Sequence, residues 1–578
     1  MRLHPQTTVD EYTRSGLWGQ DTWDVLLGKN VAEQPDSIAV VDPANREAIT
    51  DGAPRELTWS ELADLVDRLA VTLLDAGIGI DDVVGVQLPN SVELSASLLA
   101  ITNIGAIASP LPVQYREYEL EQLANLANFR AFVTVSRVGA HRLVDSAMSV
   151  KSSVPSLAAV FAFGDNLPVG AVDMGAVAAQ VTDFSGLREH RGTYTPDPND
   201  CVTICWTSGT ESTPKAVPRC PNDWYGSAMG SVSAATLTRD DVLLNPFPMV
   251  NMAGIAGMFL PWLLTGATLV QHHPFDALTF FGQLMQHKVT YTVAPPALLT
   301  RALASDAASA GVFDSVRVIG SGSAPLSAHM IGEYKRRFDI EINNCFGSNE
   351  GTCLVGDAVT VPDLGRRAVY FPRFGSPDHT WDNTASYGMD NRLVDLATGE
   401  EITTAGVPGE LRIKGPQVFS GYLAGTASSD PFDKEGYFAT GDIFQYVADE
   451  TGDLRYLQYV DRSKDLIVRG GMNISPAELE SMLSGHPAVA EAAMIGVPDP
   501  EMGERVAAVV VASGDVDPTL EDILDFLRAQ NIAAYKLPET LTLLDELPRN
   551  PVGKVTKREL RTLVAASSRG TQSEENVR

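Results

Sequence analysis

The chain has 578 residues, 44% of them apolar and 20% charged, so it is long enough for two or more domains and ordinary enough to be globular. Its charge balance is unusual: 43 basic residues stand against 73 acidic ones, a net charge of −30. Such an excess repels nucleic acid and anionic membrane over most of the surface, so any anionic ligand must meet a local basic site.

The opening residues, MRLHPQTTVDEYTRSG, lack the apolar run of a signal peptide, and stretches such as 254–264 are too short or too broken to span a bilayer. A cytoplasmic location without membrane attachment is expected. The five cysteines, Cys201, Cys205, Cys220, Cys345 and Cys353, are scattered and odd in number, which fits a reducing compartment. From 57 to 77, LTWSELADLVDRLAVTLLDAG has helical apolar spacing, and Gly77 is a stop signal. DDVVGVQL predicts a strand, SVELSASLLAITNIG a helix and AIASPL a strand, and the alternation returns at 120–135, 276–297 and 315–345. CVTICW (201–206) predicts a buried strand. Cys201 and Cys205 would share one of its faces, and with no CxxC or histidine cluster they are expected as small core residues. His272 and His273, adjacent on a strand, would point to opposite faces and share no metal.

The segment 393–460 is richer in strands and turns. Beyond 461–465, DRSKD, the pattern becomes a small α+β unit, with SPAELESMLSGH and TLEDILDFLRAQ helical and VAEAAMIGV and RVAAVVVA as strands. Ser475 and Glu478 have capping-box spacing. The fold class expected is α/β: a large N-terminal domain (1–460) of mostly parallel sheets with a strand-rich subdomain, a pivot at 461–465, and a small mobile α+β domain (466–565). The polar residues 566–578 are expected to be disordered.

A set of motifs in fixed order carries the chemistry. TSGTESTPKA (207–216) resembles the phosphate loop TSGTTGxPKG of the adenylate-forming superfamily, which includes acyl-CoA ligases, adenylation domains and luciferases. GSAPLS (322–327) is similar to its adenine-edge segment and FGSNEG (346–351) to its YGxTEG. GELRIKGPQVFSGYL (409–423), GYFATGD (436–442), DRSKDLIVRGGMNISPAELE (461–480) and LPRNPVGKVTKREL (547–560) follow at family spacing, so the likeness covers about 50–560.

The resemblance implies a two-step reaction. A carboxylic acid and ATP give acyl-AMP and pyrophosphate; then a thiol, usually that of coenzyme A, takes the acyl group and releases AMP. It implies that Thr207, Ser208, Gly209, Thr210, Glu211, Ser212, Thr213 and Lys215 form the phosphate loop. Gly322, Ser323, Ala324, Asn344, Phe346, Gly347, Asn349, Asp442 and Arg462 would bind adenylate, with Phe346 on the base and Asp442 on the ribose. Glu350, with Thr210, would hold Mg²⁺. Asn251, Met252 and Gly254 would border the acyl pocket, and Gly470 and Gly471 the pantetheine arm. Lys464 matches the pivot, and Lys554 the mobile lysine that meets the carboxylate and α-phosphate.

Four places depart from the family pattern. Glu211 and Ser212 replace the usual Thr-Gly, Ala216 the closing Gly, Asn349 the Thr that donates to the α-phosphate, and Asn251 a frequent His. Two like charges about 4 Å apart cost ~1 kcal/mol in water and ~4 kcal/mol at an effective dielectric of 20. A Glu211 facing the triphosphate therefore weakens ATP binding; turned outward, it leaves ATP bound. The thiol step needs no pyrophosphate site. The expectation is weak or absent adenylation, with a separate enzyme supplying acyl-AMP, and the pattern is similar to the thiolation-specialised ligases of platensimycin- and platencin-type diterpenoid pathways. Met, Ala and Gly in PFPMVNMAGIAGM (246–258) favour a bulky hydrophobic or cyclic acid over acetate, with ordinary helix packing as the alternative reading of the stretch. The alternatives are a full two-step synthetase, an aryl-acid ligase loading a carrier protein, a serine hydrolase read from S-x-x-K (212–215), and a non-catalytic adenylate sensor.

Overall fold

The computed structural model describes residues 1–564 except 208–213, 306–310, 382–387, 428, 464, 470–471, 500–501, 515–516, 531, 533 and 551–553. The expected tail therefore lies outside the described residues. Four sheets organise the chain. The first, of seven strands, runs Val172–Asp173, Ala159–Phe163, Ala131–Val135, Val83–Gln87, Ile107–Pro110, Thr203–Thr207 and Lys215–Arg219; every pair is parallel except the last. The second, of eight strands, is parallel at its centre and antiparallel at both edges, where Cys353–Gly356 pairs Glu341–Gly347 and Glu56–Thr58 pairs Ile38–Val41.

The predicted helix at 57–77 spans Trp59–Asp75. Thr58 and Glu61 close a reciprocal capping box at its start, and Gly77 takes φ +77° just past its end. The next helix, Val92–Asn103, is buried at every residue, and its residues join those of Trp59–Asp75 in one core with side chains of both sheets. A helix closed in on all sides has to be apolar nearly all round. Its one carboxylate, Glu93, accepts from Arg46 at 2.7 Å and Arg55 at 2.5 Å.

The strand-rich region forms a third, antiparallel sheet of six strands, in which Phe438–Val447 lies between Pro408–Lys414 and Tyr456–Arg462. The fourth sheet joins Met472–Ile474, Ile467–Arg469, Gly503–Ala512 and Val489–Asp499, with Thr540–Leu543 parallel to Gly503–Ala512. Helices Pro476–Leu483 and Leu520–Ala529 complete its core. Ser475 caps the first of these, accepting from the Glu478 N–H, but the Glu478 carboxylate binds Lys536 at 2.6 Å. The capping-box spacing here thus supplies a cap and a tertiary ion pair. Cys201 and Cys205 are core residues, as their strand parity implies, and burial pushes both thiols up to about 12. No helix among the described residues is long and apolar enough to cross a membrane.

The antiparallel sheet is tied at one end by Asp433. Its carboxylate accepts from Arg392 at 2.7 Å, Arg412 at 3.1 Å, and the Glu435 and Tyr437 N–H groups at 3.0 Å. Burial works against its charge, but these donors win and hold it down at about 2. A depressed carboxylate stabilises the fold fully above its unfolded value of about 4 and ceases to do so as pH falls through the folded value. The urea-midpoint difference between wild type and Asp433→Asn should therefore be constant above about pH 4 and shrink below it.

Candidate active site

The strands Thr203–Thr207 and Lys215–Arg219 form a hairpin in which Thr207 opposes Lys215, so the phosphate-loop motif is its turn. Of that loop, Ser208, Gly209, Thr210, Glu211, Ser212 and Thr213 lie outside the described residues, as do Lys464, Gly470 and Gly471. Thr207 and Lys215 mark the base of the loop. The Lys215 ammonium stands 5.3 Å over the ring of Tyr422, whose hydroxyl donates to Glu350 Oε1 at 3.0 Å. Glu350 is buried, and its carbonyl accepts from the Phe419 N–H at 2.9 Å. Ala216, in place of a glycine, turns its methyl into the core, and Leu423 and Thr426 bond its backbone.

Phe346 ends the strand Glu341–Gly347 among aromatic rings, with Tyr459 at 5.3 Å and Phe444 at 5.2 Å. Asn344, two residues earlier, donates its amide to the Arg367 and Ala368 carbonyls. Gly322, alongside, admits no side chain, since a Cβ there would lie 2.0 Å from the Cys345 carbonyl oxygen. Ser323 turns the chain with φ +67°, leaving Ser323 and Ala324 exposed. Asp442 and Arg462 face each other across neighbouring strands, with Arg462 Nε 3.3 Å from Asp442 Oδ1. Burial disfavours the Arg462 charge, but Asp442, Tyr459, Asp465 and Glu350 outweigh it and raise the guanidinium. Phe346, Tyr459, Asp442, Arg462 and Glu350 therefore share one neighbourhood, drawn from three separate motifs.

On the acyl side, Asn251 caps a short helix, Met252–Gly254, by accepting from the Ala253 and Gly254 N–H groups. Its side-chain oxygen is thus committed to the backbone at the position where a gating His was the family expectation. Gly254 packs on the preceding turn; a Cβ there would lie 2.3 Å from the Pro248 oxygen. A π-helical turn, Ile255–Phe259, follows, a geometry frequent at functional sites. Met249 and Met258 are wholly buried in the core, so only part of this stretch can face a ligand. Met252, Ala253 and Gly257 keep partial exposure, and Met252 lies beside Gly347.

Lys554 is exposed; its N–H donates to the Asn550 carboxamide oxygen and its carbonyl accepts from the Asn550 N–H, both at 2.9 Å. Asp461, just before Lys464, is buried, and burial raises its carboxyl. It accepts from the Ser475 hydroxyl and the Ala477 N–H, both at 3.0 Å, while Ser475 also donates to the Val460 carbonyl at 2.6 Å.

The family model for AMP-binding enzymes matches residues 27–423, and that for the AMP-binding enzyme C-terminal domain matches 478–554. The chain belongs to the AMP-binding enzyme family. Indoleacetate–CoA ligase of Aromatoleum aromaticum is 32% identical over 88% of this chain and 94% of its own length. A salicylyl-CoA synthase / salicylate adenylyltransferase of Streptomyces is 28% identical over 97% of both chains. Among solved structures, ATP-bound MatB of Rhodopseudomonas palustris superposes with a TM-score of 0.74 at 26% identity, over 93% of this chain and 98% of that one. This AMP-binding enzyme thus groups with acid–CoA ligases.

Sequence reasoning passed over the residue that holds the family's motifs together here. Arg219 is wholly buried at the end of the hairpin. It donates to the carbonyls of Asn349 at 2.5 Å, Asp223 at 2.7 Å and Gln417 at 2.9 Å, and to the Ser227 hydroxyl at 3.0 Å; its face lies 4.4 Å from the Trp224 ring. Burial lowers its guanidinium, which Asp223 at 3.8 Å opposes. Asp223 also meets His4 at 2.7 Å, and with Cys220 these form the one buried trio among the described residues close enough to hold an ion. Arg219 already supplies the positive charge there. The signal available was a cation closing an apolar strand with an acid four residues on. Arg219→Met leaves Asp223 and three carbonyls without their partner, which should cost about 3–5 kcal/mol in urea unfolding.

Proposed function

We propose that this AMP-binding enzyme joins a bulky hydrophobic carboxylic acid to coenzyme A through an acyl-adenylate, and that the thiol half-reaction is its dominant activity. The observation that carries the reading is the convergence of Asp442, Arg462, Phe346 and Tyr459 beside Glu350. Phe346 and Tyr459 give adenine an aromatic bed. Asp442 accepts from the ribose hydroxyls, and Arg462 fixes its orientation and adds positive charge toward phosphate. The exposed backbone at Gly322, Ser323 and Ala324 borders the base, since the amide of Asn344 is engaged elsewhere. Gly347 and Gly254 let Met252 and Ala253 line the acyl side. Two relatives are named for indoleacetate and salicylate, both cyclic carboxylic acids, which supports an acid with a ring.

In the adenylation step the acid's carboxylate oxygen attacks the α-phosphorus, and the bond to pyrophosphate breaks. Lys554, from the small unit, and Lys215 spread the developing charge. Glu350 is a buried hard-oxygen ligand of the kind Mg²⁺ prefers, with Thr210 as its partner in the motif; the ion, when bound, neutralises phosphate charge. In the thiol step sulfur bonds to the acyl carbon, the C–O bond to AMP breaks, and AMP leaves with the electron pair while the thiol proton passes to solvent. Gly470 and Gly471 would admit the pantetheine arm, with Lys464 as the pivot between the two steps.

Two features favour the second step over the first. Glu211 places a carboxylate in the phosphate loop. Asn349, standing where the family's Thr donates to the α-phosphate, spends its carboxamide on protein: Nδ2 donates to the Trp206 carbonyl and Oδ1 accepts from the Met252 N–H. A separate adenylating enzyme would then supply the acyl-AMP. One arrangement favours the full two-step reaction instead, the intact contact chain Lys215–Tyr422–Glu350.

The test offers indole-3-acetate, salicylate and octanoate with ATP and coenzyme A, and separately their synthetic adenylates with coenzyme A. The adenylates should be consumed at least ~10-fold faster than the acids. Equal rates with strong acid-dependent ATP–pyrophosphate exchange would sink the preference for the second step. Restoring the family residues with Glu211→Thr and Ser212→Gly should raise that exchange about 10-fold, equivalent to ~1.4 kcal/mol of regained binding.

A further inference from the structure

Asn349 does more than vacate a donor position. The helix Met252–Gly254 opens with N–H groups that have no partner within the helix. Asn251 takes those of Ala253 at 3.1 Å and Gly254 at 3.3 Å, and the first, Met252 N–H, goes to Asn349 Oδ1 at 2.8 Å. The cap of the acyl-side helix is therefore shared between its own Asn251 and a residue 97 positions away. The other end of the same carboxamide donates to the Trp206 carbonyl at 3.3 Å. Trp206 is the last residue before Thr207 and pairs Ala216 across the hairpin, and its indole N–H is fixed on the Ser109 hydroxyl at 2.9 Å. Arg219 holds the Asn349 main-chain carbonyl, which fixes the backbone that carries this carboxamide, and the residue is buried.

We infer that Asn349 is a positioning residue that couples the acyl pocket to the base of the phosphate loop. One planar group accepts from the helix that borders the acyl chain and donates to the strand that enters the loop. An acyl group seated against Met252, Ala253 and Gly257 sets the position of the helix start, and the carboxamide carries that position to Trp206 and Thr207. Few side chains can do this. A carboxylate keeps the acceptor and loses the donor. A threonine hydroxyl is too short to reach both partners, and leucine leaves a buried N–H and a buried carbonyl unpaired.

The inference rests on the ligase reading above, and its test separates the two. KM is measured for the synthetic adenylate that the wild type uses best of the three named, and for coenzyme A, alongside thermal melting. In Asn349→Leu both links are cut without adding a donor for the α-phosphate, and KM for the adenylate should rise about 10-fold while KM for coenzyme A stays within 2-fold. In Asn349→Asp the link to Met252 survives, and KM for the adenylate should stay within about 3-fold while kcat falls. Partial unfolding lowers the amount of active enzyme, and so kcat, without altering KM; a KM shift confined to the adenylate is therefore not a folding defect. Should the aspartate variant fail to fold, the leucine variant alone carries the test. Unchanged KM for the adenylate in Asn349→Leu, with or without a lower melting temperature, overturns the coupling. An equal rise in both KM values overturns it as well, since that marks a general loss of the site. A wild type inactive toward all three adenylates overturns the ligase reading and the coupling together.

Discussion

The buried guanidinium of Arg219 is the constraint on which the site depends. Three segments that meet nowhere else in sequence each give it a carbonyl: the 346–351 motif through Asn349, the 409–423 motif through Gln417, and the helix Pro221–Ala234 through Asp223. A charge taken this far from water needs hydrogen-bond partners and a balancing acid; here both terminal nitrogens are bonded, and Nε faces the Asp223 carboxylate at 3.8 Å. The sequence around it is bent to that need. Asp223 stands four residues on, the Trp224 ring covers the guanidinium face, and His4 occupies the far side of Asp223. Glu350, next to Asn349, inherits its place from this arrangement, and Phe419, two residues after Gln417, closes on its carbonyl.

From that hub the acidic and basic groups divide the work by their surroundings. Lys215 rests over an aromatic ring, and Arg462 is answered by Asp442, so positive charge is held locally in a chain that is strongly negative overall. The net −30 makes these few cations the means of attracting a nucleotide. The proposed acyl side has little polarity, with Met252, Ala253 and a glycine beside a π-helical turn that breaks the regular spacing of the helix.

Much of the fold was legible because its signals are local. Apolar runs marked the parallel strands, Gly77 marked the end of the helix Trp59–Asp75, and the change of pattern after 465 marked the start of another sheet. The chemistry-bearing motifs were legible as a set, and the structure brings Glu350, Phe346, Asp442 and Arg462 together. What could not be read was which polar side chains serve the protein itself. Asn344, Asn251 and Asn349 all carry amides suited to a ligand, yet each is committed to backbone groups distant in sequence or at a helix start. Arg219 and Tyr422 were invisible for the same reason, since their partners are defined only by tertiary contact. Glu478 shows the limit on a small scale: its spacing was right for a box, and Lys536, 58 residues away, claimed its carboxylate.

The bonds of Asp461 give the proposed pivot a mechanical character. Ser475 and Ala477 lie beyond residue 464, and their acceptors, Val460 and Asp461, lie before it. A turn of the chain between these residues cannot be shared out as small distortions, because hydrogen bonds are short-ranged and the carboxylate is shut away from water. Under the proposed pivot motion Ser475 and Ala477 would release Val460 and Asp461 as that carboxylate is wetted, and these bonds would act as a latch on the small unit.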